Sequence, residues 1–207
     1  MGDWKIALAA RLMPSNLPVF QMDVDTKPDT QHAIRTMPKS DQGTAAQTDR
    51  YTVIPRVLVF VYHGEDVLLL KGAPDKRLWA NRYNGLGGHV EAGEGIAHAA
   101  RREVWEEAGL EVHDLRMRGI VHIDLGATPG ILFFVFSARS ETRRTRPSAE
   151  GSLHWLPLHA LDNYDLVEDV PVLLQRLSRD ADDPSAVPFT ARYHYDDQDR
   201  LQIEFGS

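Results

Sequence analysis

From Tyr51 onward, apolar and polar positions fall into a regular succession of short runs and turns; before it they do not. Residues 14 to about 50 scatter Pro14, Pro18, Pro28 and Pro38 among Asp, Thr, Gln and Ser, with little periodicity. Such a stretch has too little apolar surface to offset the entropy of ordering it, so residues 1–50 read as an extended or disordered arm. Val57–Tyr62 and Val67–Leu70 are strand-like runs about the turn His63-Gly64-Glu65. Met117–Asp124 and Ile131–Ser137 predict two more strands, and Trp155–Leu158 the end of the sheet. A helix is expected from Asp165 or Pro171 to Arg179, then a polar connector over residues 179–184. Phe189, Ala191, Tyr193 and Tyr195 alternate, as do Leu201, Ile203 and Phe205, so the chain closes in a hairpin.

A different period occupies Gly88–Leu110, which reads GHVEAGEGIAHAARREVWEEAGL. Gly85, Gly87, Gly88, Gly93 and Gly95 mark a strand end and a tight loop. After them Ile96, Ala100, Val104 and Ala108 recur every four residues, an apolar stripe suited to a helix packed on a core. At roughly 100° per residue, Glu103, Glu106 and Glu107 share an arc of about 100° bordering that stripe. Like charges at these spacings weaken a helix by a few tenths of a kcal/mol per pair. A divalent cation reverses the sign, and hard oxygen ligands suit Mg²⁺ or Mn²⁺. Trp105 and His98 fall opposite the carboxylates, exposed or packed on a neighbouring loop, and His89 is given no chemical role.

Composition narrows the setting. The 207 residues, 43% hydrophobic and 26% charged, provide ample core for one domain of common size plus extra segments. With no cysteine, the chain has no disulfide, no thiol nucleophile and no Cys-ligated zinc, which fits a reducing cytoplasm. No apolar run is long enough to span a membrane, and Arg11 interrupts KIALAARLM too early for a signal-peptide core. The formal charge of −7 argues against a nucleic acid polymer as partner, while small phosphorylated metabolites escorted by metal remain compatible.

The spacing of Gly88, Glu94, Arg102-Glu103, Val104, Glu106-Glu107, Gly109 and Leu110 resembles the Nudix box. That resemblance implies an α/β fold, an α/β/α sandwich with a mixed sheet, over residues 51–207. It also implies metal-dependent cleavage of a phosphoanhydride in a nucleoside diphosphate joined to another group. Glu106 and Glu107, with the Gly87 carbonyl, are then expected to hold metal. Glu103 is a third ligand or the base that takes a proton from water, and Arg102 braces the carboxylates and the Glu94 loop. Glu150-Gly151 resembles the late metal-binding segment of MutT proteins, making Glu150 a further ligand or an ordinary surface glutamate.

Asn84-Gly85-Leu86-Gly87-Gly88, the pair Glu168-Asp169 and the final hairpin resemble the MutT-homologue group, which hydrolyses oxidised purine nucleoside triphosphates. This implies that Asn84, Glu168 and Asp169 read the base edge of a substrate such as 8-oxo-dGTP. The group's tryptophan near the acidic pair is missing, with Leu166 and Val167 in its place. Acidic residues in a first helical turn are also favoured by the dipole alone. Tyr83 either stacks on a ring or joins the core. Arg139, Arg143, Arg144 and Arg146 either steer polyphosphate or form a solvated loop. The alternatives are a Nudix hydrolase of ADP-ribose, a nucleotide sugar or a dinucleotide, and a non-catalytic nucleotide sensor.

Overall fold

The computed structural model describes residues 50–179, 183 and 185–206. The expected arm, apart from Arg50, and most of the connector interior lie outside the described residues. β1 (Val53–His63) and β2 (Asp66–Gly72) form the expected hairpin, with Val61 opposite Leu68 and His63 opposite Asp66. β1 runs longer than its apolar core because it pairs in parallel with β5 (Gly130–Arg139), from Val53↔Gly130 to Tyr62↔Arg139. β4 (His113–Asp124) lies antiparallel to β5, and β7 (Phe189–Tyr195) parallel to β4. β8 (Leu201–Phe205) closes the predicted hairpin with β7.

The box end of the sheet is organised around β2. β6 (Gly151–Pro157) pairs along its whole length, so its other edge is shared between β1 and the two-residue β3 (Tyr83–Asn84). The resulting order β3-β2-β1-β5-β4-β7-β8, with β6 beside β2, is the mixed sheet expected. β3 was not foreseen, since two residues carry no readable period. β6 begins earlier than its apolar run because Gly151 and Ser152 already pair with β2.

Alternation along the strands divides the apolar residues into two cores. Val57, Val59 and Val61 face Ala99, Ala100, Val104 and Ala108 of α1 (Ile96–Ala108). Phe60, Val67 and Leu69 face Leu173, Leu174 and Leu177 of α2 (Val170–Arg179). This gives the helix–sheet–helix layering. One detail of the predicted stripe is corrected: Ile96, on the first turn, stays exposed, whereas Ala99 and Glu107 are buried. The face that meets the sheet is rotated enough to draw a carboxylate inside.

α1 ends where the Gly109 N–H bonds the Trp105 carbonyl. Arg146 donates to the Trp105 carbonyl and, at 2.8 Å, to that of Glu106, neutralising the negative end of the helix. Its guanidinium also lies 5.3 Å from the Trp105 ring centre, so that exposed ring is packed by a neighbouring loop.

α2 starts after Asp169, whose carbonyl accepts from the Leu173 N–H at 2.9 Å. Burial pushes the Asp169 carboxyl up to about 6 from 3.8, against its own backbone N–H, which lowers it, while Glu168 adds to the rise. The Tyr193 hydroxyl faces this carboxyl but makes no hydrogen bond of acceptable geometry. Between those two values the native state keeps a proton that the unfolded chain has released, so stability falls as pH rises through the window. Asp169→Asn preserves a helix-capping shape without ionising. It is expected to flatten this dependence and to exceed the wild type in stability at pH 7, as read by urea denaturation from pH 3.5 to 8. Equal pH dependence in the two proteins would contradict the assignment.

Candidate active site

The strand-to-helix turn brings the box residues together. Gly87 has φ +151°, and a side chain there would run into the Val57 carbonyl. At Gly88 a Cβ would sit 2.5–2.8 Å from the Glu103 carboxyl atoms, so the bare backbone makes room for that side chain. The Gly87 N–H donates to Glu107 Oε2 at 2.9 Å. β1 holds this loop through Val57 N–H to Gly88 O and Val59 N–H to Leu86 O, at 2.9 and 2.7 Å. The helix and the loop before it are thus locked in mutual register through the sheet.

Arg102 is the hub of the acidic cluster. Its Nη2 donates to Glu94 Oε1 at 2.8 Å and to the His89 carbonyl at 2.9 Å. Nη1 donates to Glu103 at 2.9 Å and Glu106 at 3.1 Å, and Nε to Glu94 at 3.2 Å. Glu94 also accepts from the Glu91 N–H at 2.8 Å, fixing the loop ahead of the helix. The Arg102 hydrogen bonds, followed by the Glu91 N–H, lower the Glu94 carboxyl to about 2. Glu103 moves the other way, because burial outweighs Arg102 and the charges of Glu106 and Glu150 add to it. Glu107 is pushed up to about 8, by burial first and then by Glu150 and Glu103, against the Gly87 N–H.

A cleft of about 110 Å³ has Gly87, Glu107, Glu150 and Asn84 on its wall, with Lys76 and Trp79 from the β2–β3 loop. Lys76 Nζ bonds Glu150 Oε2 at 2.5 Å, which ties the late glutamate across the cleft. Asn84 Oδ1 accepts from the Gly85 N–H at 2.8 Å. Among the described residues, no three carboxylate or histidine groups stand close enough to form a ready-made metal cage. The donor set nevertheless suits a hard divalent cation. Glu103, Glu106, Glu107 and Glu150 supply oxygen only, and two of these carboxyls are raised partly by their mutual repulsion.

The structure places several of the predicted residues away from the cleft. Tyr83 is buried, with His154 and Tyr164 edge-on to its ring at 5.5 and 5.6 Å, so it belongs to the core and offers no face to a base. Glu168 and Asp169 do not line the cleft. Glu168 bonds Arg82 at 2.6 Å, and Asp169 turns to Tyr193, because adjacent residues at a helix start point in different directions. The arginines of residues 139–146 do not gather at the cleft either. Arg143 pairs with Asp66, Arg146 caps α1, and Arg139 lies at the far end of β5. Sequence reasoning missed Lys76, Leu78, Trp79 and Arg82, all of which line the cleft. The available signal was a basic and aromatic run, Lys76-Arg77-Leu78-Trp79, three residues ahead of Tyr83-Asn84.

Arg102→Ala should cost about 1–2 kcal/mol in urea denaturation, because it strands the part-buried Glu103 and breaks a shared set of pairs that water partly screens. Arg102→Lys should recover only part of this, since a single ammonium cannot reproduce the fork. A loss for Arg102→Ala below about 0.5 kcal/mol, the level of an exposed ion pair, would contradict the hub role.

The profile of the NUDIX domain matches residues 52–177. The oxidized purine nucleoside triphosphate hydrolase of Mus musculus is 31% identical over 149 residues, which are 70% of this chain and 88% of that one. The NAD-capped RNA hydrolase NudC of Pseudomonas syringae pv. syringae is 32% identical over 98 residues, 47% of this chain but 33% of its own length. A crystal structure of a MutT protein from Bacillus halodurans matches with a TM-score of 0.61 at 22% identity, covering 74% of this chain and 97% of that one. That last likeness is one of fold. The profile match and the mouse relative, on a chain whose box glutamates gather about one arginine and one glycine turn, place this protein in the Nudix family, as a Nudix hydrolase.

Proposed function

We propose that residues 51–207 form a Mg²⁺-dependent pyrophosphohydrolase that converts a nucleoside triphosphate to the monophosphate and pyrophosphate, with residues 1–50 as an extension. Oxidised purine nucleotides such as 8-oxo-dGTP are the proposed substrates. The observation that carries this reading is the meeting of Glu107, Glu150 and Gly87 in the cleft that Asn84 also lines. Glu106, Glu107, Glu150 and the Gly87 carbonyl would hold the cation, with Glu103 near them. When bound, Mg²⁺, or Mn²⁺ in its place, supplies charge neutralisation at phosphate oxygens and a coordinated water of lowered pKa.

The chain's own groups do the rest. Glu103, raised by burial yet anchored by Arg102, is suited to accept a proton from an attacking water near neutral pH. Arg102 keeps Glu103 and Glu106 on the cleft side of the helix, and the Glu94 pair keeps Arg102 from moving. Lys76 gives up Glu150 and is then free to meet phosphate oxygens at the cleft wall. Asn84, steadied by the Gly85 N–H, presents its amide NH₂ to a carbonyl on the base edge. Glu168 contributes indirectly by orienting Arg82, which also lines the cleft. The printed name of the mouse relative supports the choice of substrate.

Glu106→Gln and Glu107→Gln are each expected to lower turnover of 8-oxo-dGTP by about 100-fold or more, with a melting temperature no lower than that of the wild type. Product chromatography should show equal amounts of monophosphate and pyrophosphate. Near-normal turnover in either variant at saturating Mg²⁺ would overturn the ligand assignment. Faster cleavage of ADP-ribose than of any triphosphate would favour the alternative substrate.

A further inference from the structure

A larger cavity, of about 450 Å³, opens at the other end of β1 from the Gly87 loop and on the opposite face of the sheet. Its floor is made by side chains that neighbour one another across three strands: Tyr62 pairs in register with Arg139, and Arg116 with Ser137. Arg118 joins them from the register irregularity in β4 between Met117 and Gly119. Leu158, Leu174 and Leu177 form the opposite wall, and Ser178 stands at its edge. Strand alternation puts these floor positions on the face that carries Phe60, Phe133 and Val135 further along, where they are core. Arginine therefore occupies places that the pattern assigns to apolar residues.

Arg118 is buried, while Arg116 and Arg139 remain solvent-exposed where they line the cavity. Three guanidiniums gather here on a chain of net charge −7, with Glu65 and Asp114 the only lining carboxylates among the described residues. Hydrogen bonds from Ser185 chiefly hold the Asp183 carboxyl low and the Arg118 charge adds a smaller pull, so Arg118 is partly engaged. The Tyr62 phenol stays protonated through burial and remains a donor. The volume falls in the roughly 300–1,000 Å³ range of small-molecule pockets, and the walls combine apolar surface with a few convergent polar groups. Tyr62 lies about 16 Å along β1 from Val57, the residue that holds the box loop, at ~3.3 Å per residue.

We propose that this cavity is a second ligand site, separate from the catalytic cleft, that takes a small organic anion. A phosphate, sulfonate or carboxylate head would be gripped by Arg116 and Arg139, whose planar forks match such oxygens. An aromatic or aliphatic body would lie against Tyr62, Leu158 and Leu174. The site stands on its own geometry and does not rest on the substrate proposed above.

The test is a fluorescence titration of the full chain with 8-anilinonaphthalene-1-sulfonate, a probe of this class. The wild type should show one saturable site. Arg116→Glu/Arg139→Glu should weaken it by about ten-fold or more, while nucleotide turnover and the melting temperature stay unchanged. Arg144→Glu, on the exposed loop beyond Arg139, should bind the probe as the wild type does. Ser178→Trp, which obstructs the edge without altering charge, should block the probe and keeps the test decisive if the double variant fails to fold. Displacement by GMP would assign the head to phosphate, and by decanoate to carboxylate. Wild-type affinity in the double or Ser178→Trp variant, equal weakening by Arg144→Glu, or displacement by neither competitor would overturn the proposal.

Discussion

Arg102 stands among carboxylates that would otherwise drive one another apart. Its five donors reach Glu94, Glu103, Glu106 and the His89 carbonyl, so one side chain from the middle of α1 fixes the loop before the helix and two acids on the helix itself. Remove that fork and Glu94, Glu103 and Glu106 lose the guanidinium they share. Glu107 lies outside the fork's reach. Its balance is the Gly87 N–H and a weaker pull from the Lys76 charge, and burial leaves it a reluctant anion. The arrangement is therefore asymmetric: one part of the cluster is neutralised from within, and the other part waits for charge from outside.

The fold supplies this asymmetry through the sheet. β1 carries its valines toward α1 and grips the glycine loop with its backbone, so the same strand seats the helix and the turn. β2 then brings β3 and β6 to its two edges, which places Asn84 and Glu150 on either side of the cleft. The Lys76–Glu150 pair bridges that gap with charges that are only partly withdrawn from water. Such an exposed pair is weak, on the order of 1 kcal/mol or less, and gives way to a stronger ligand.

Much of this was legible in the chain. The box spacing, the period of β1, β2, β4 and β5, and the alternation of β7 and β8 each reflect a local rule: side chains repeat every two residues in a strand and every three to four in a helix. The rule failed where neighbours remote in sequence decide the outcome. Ile96 carries the apolar period but lies on the first turn of α1, so Glu107 took a buried place instead. Tyr83 looked equally suited to a ligand or the core, and His154 and Tyr164, both about 70 or more residues distant, settled it. Glu168 and Asp169 were adjacent acids in the sequence, yet Arg82 claims one and burial beside Tyr193 claims the other. The arginines from Arg139 to Arg146 read as one basic stretch, but a strand end and a loop send them to separate partners.

The claim that the Glu107 part of the cluster is completed by a divalent cation is tested most directly by thermal unfolding with and without Mg²⁺ at fixed ionic strength. A ligand that binds only the native state raises its melting temperature by mass action. The wild type should gain several degrees at millimolar Mg²⁺, and Glu107→Gln should gain little or nothing. Identical melting of the wild type in Mg²⁺ and in matched monovalent salt would contradict the account.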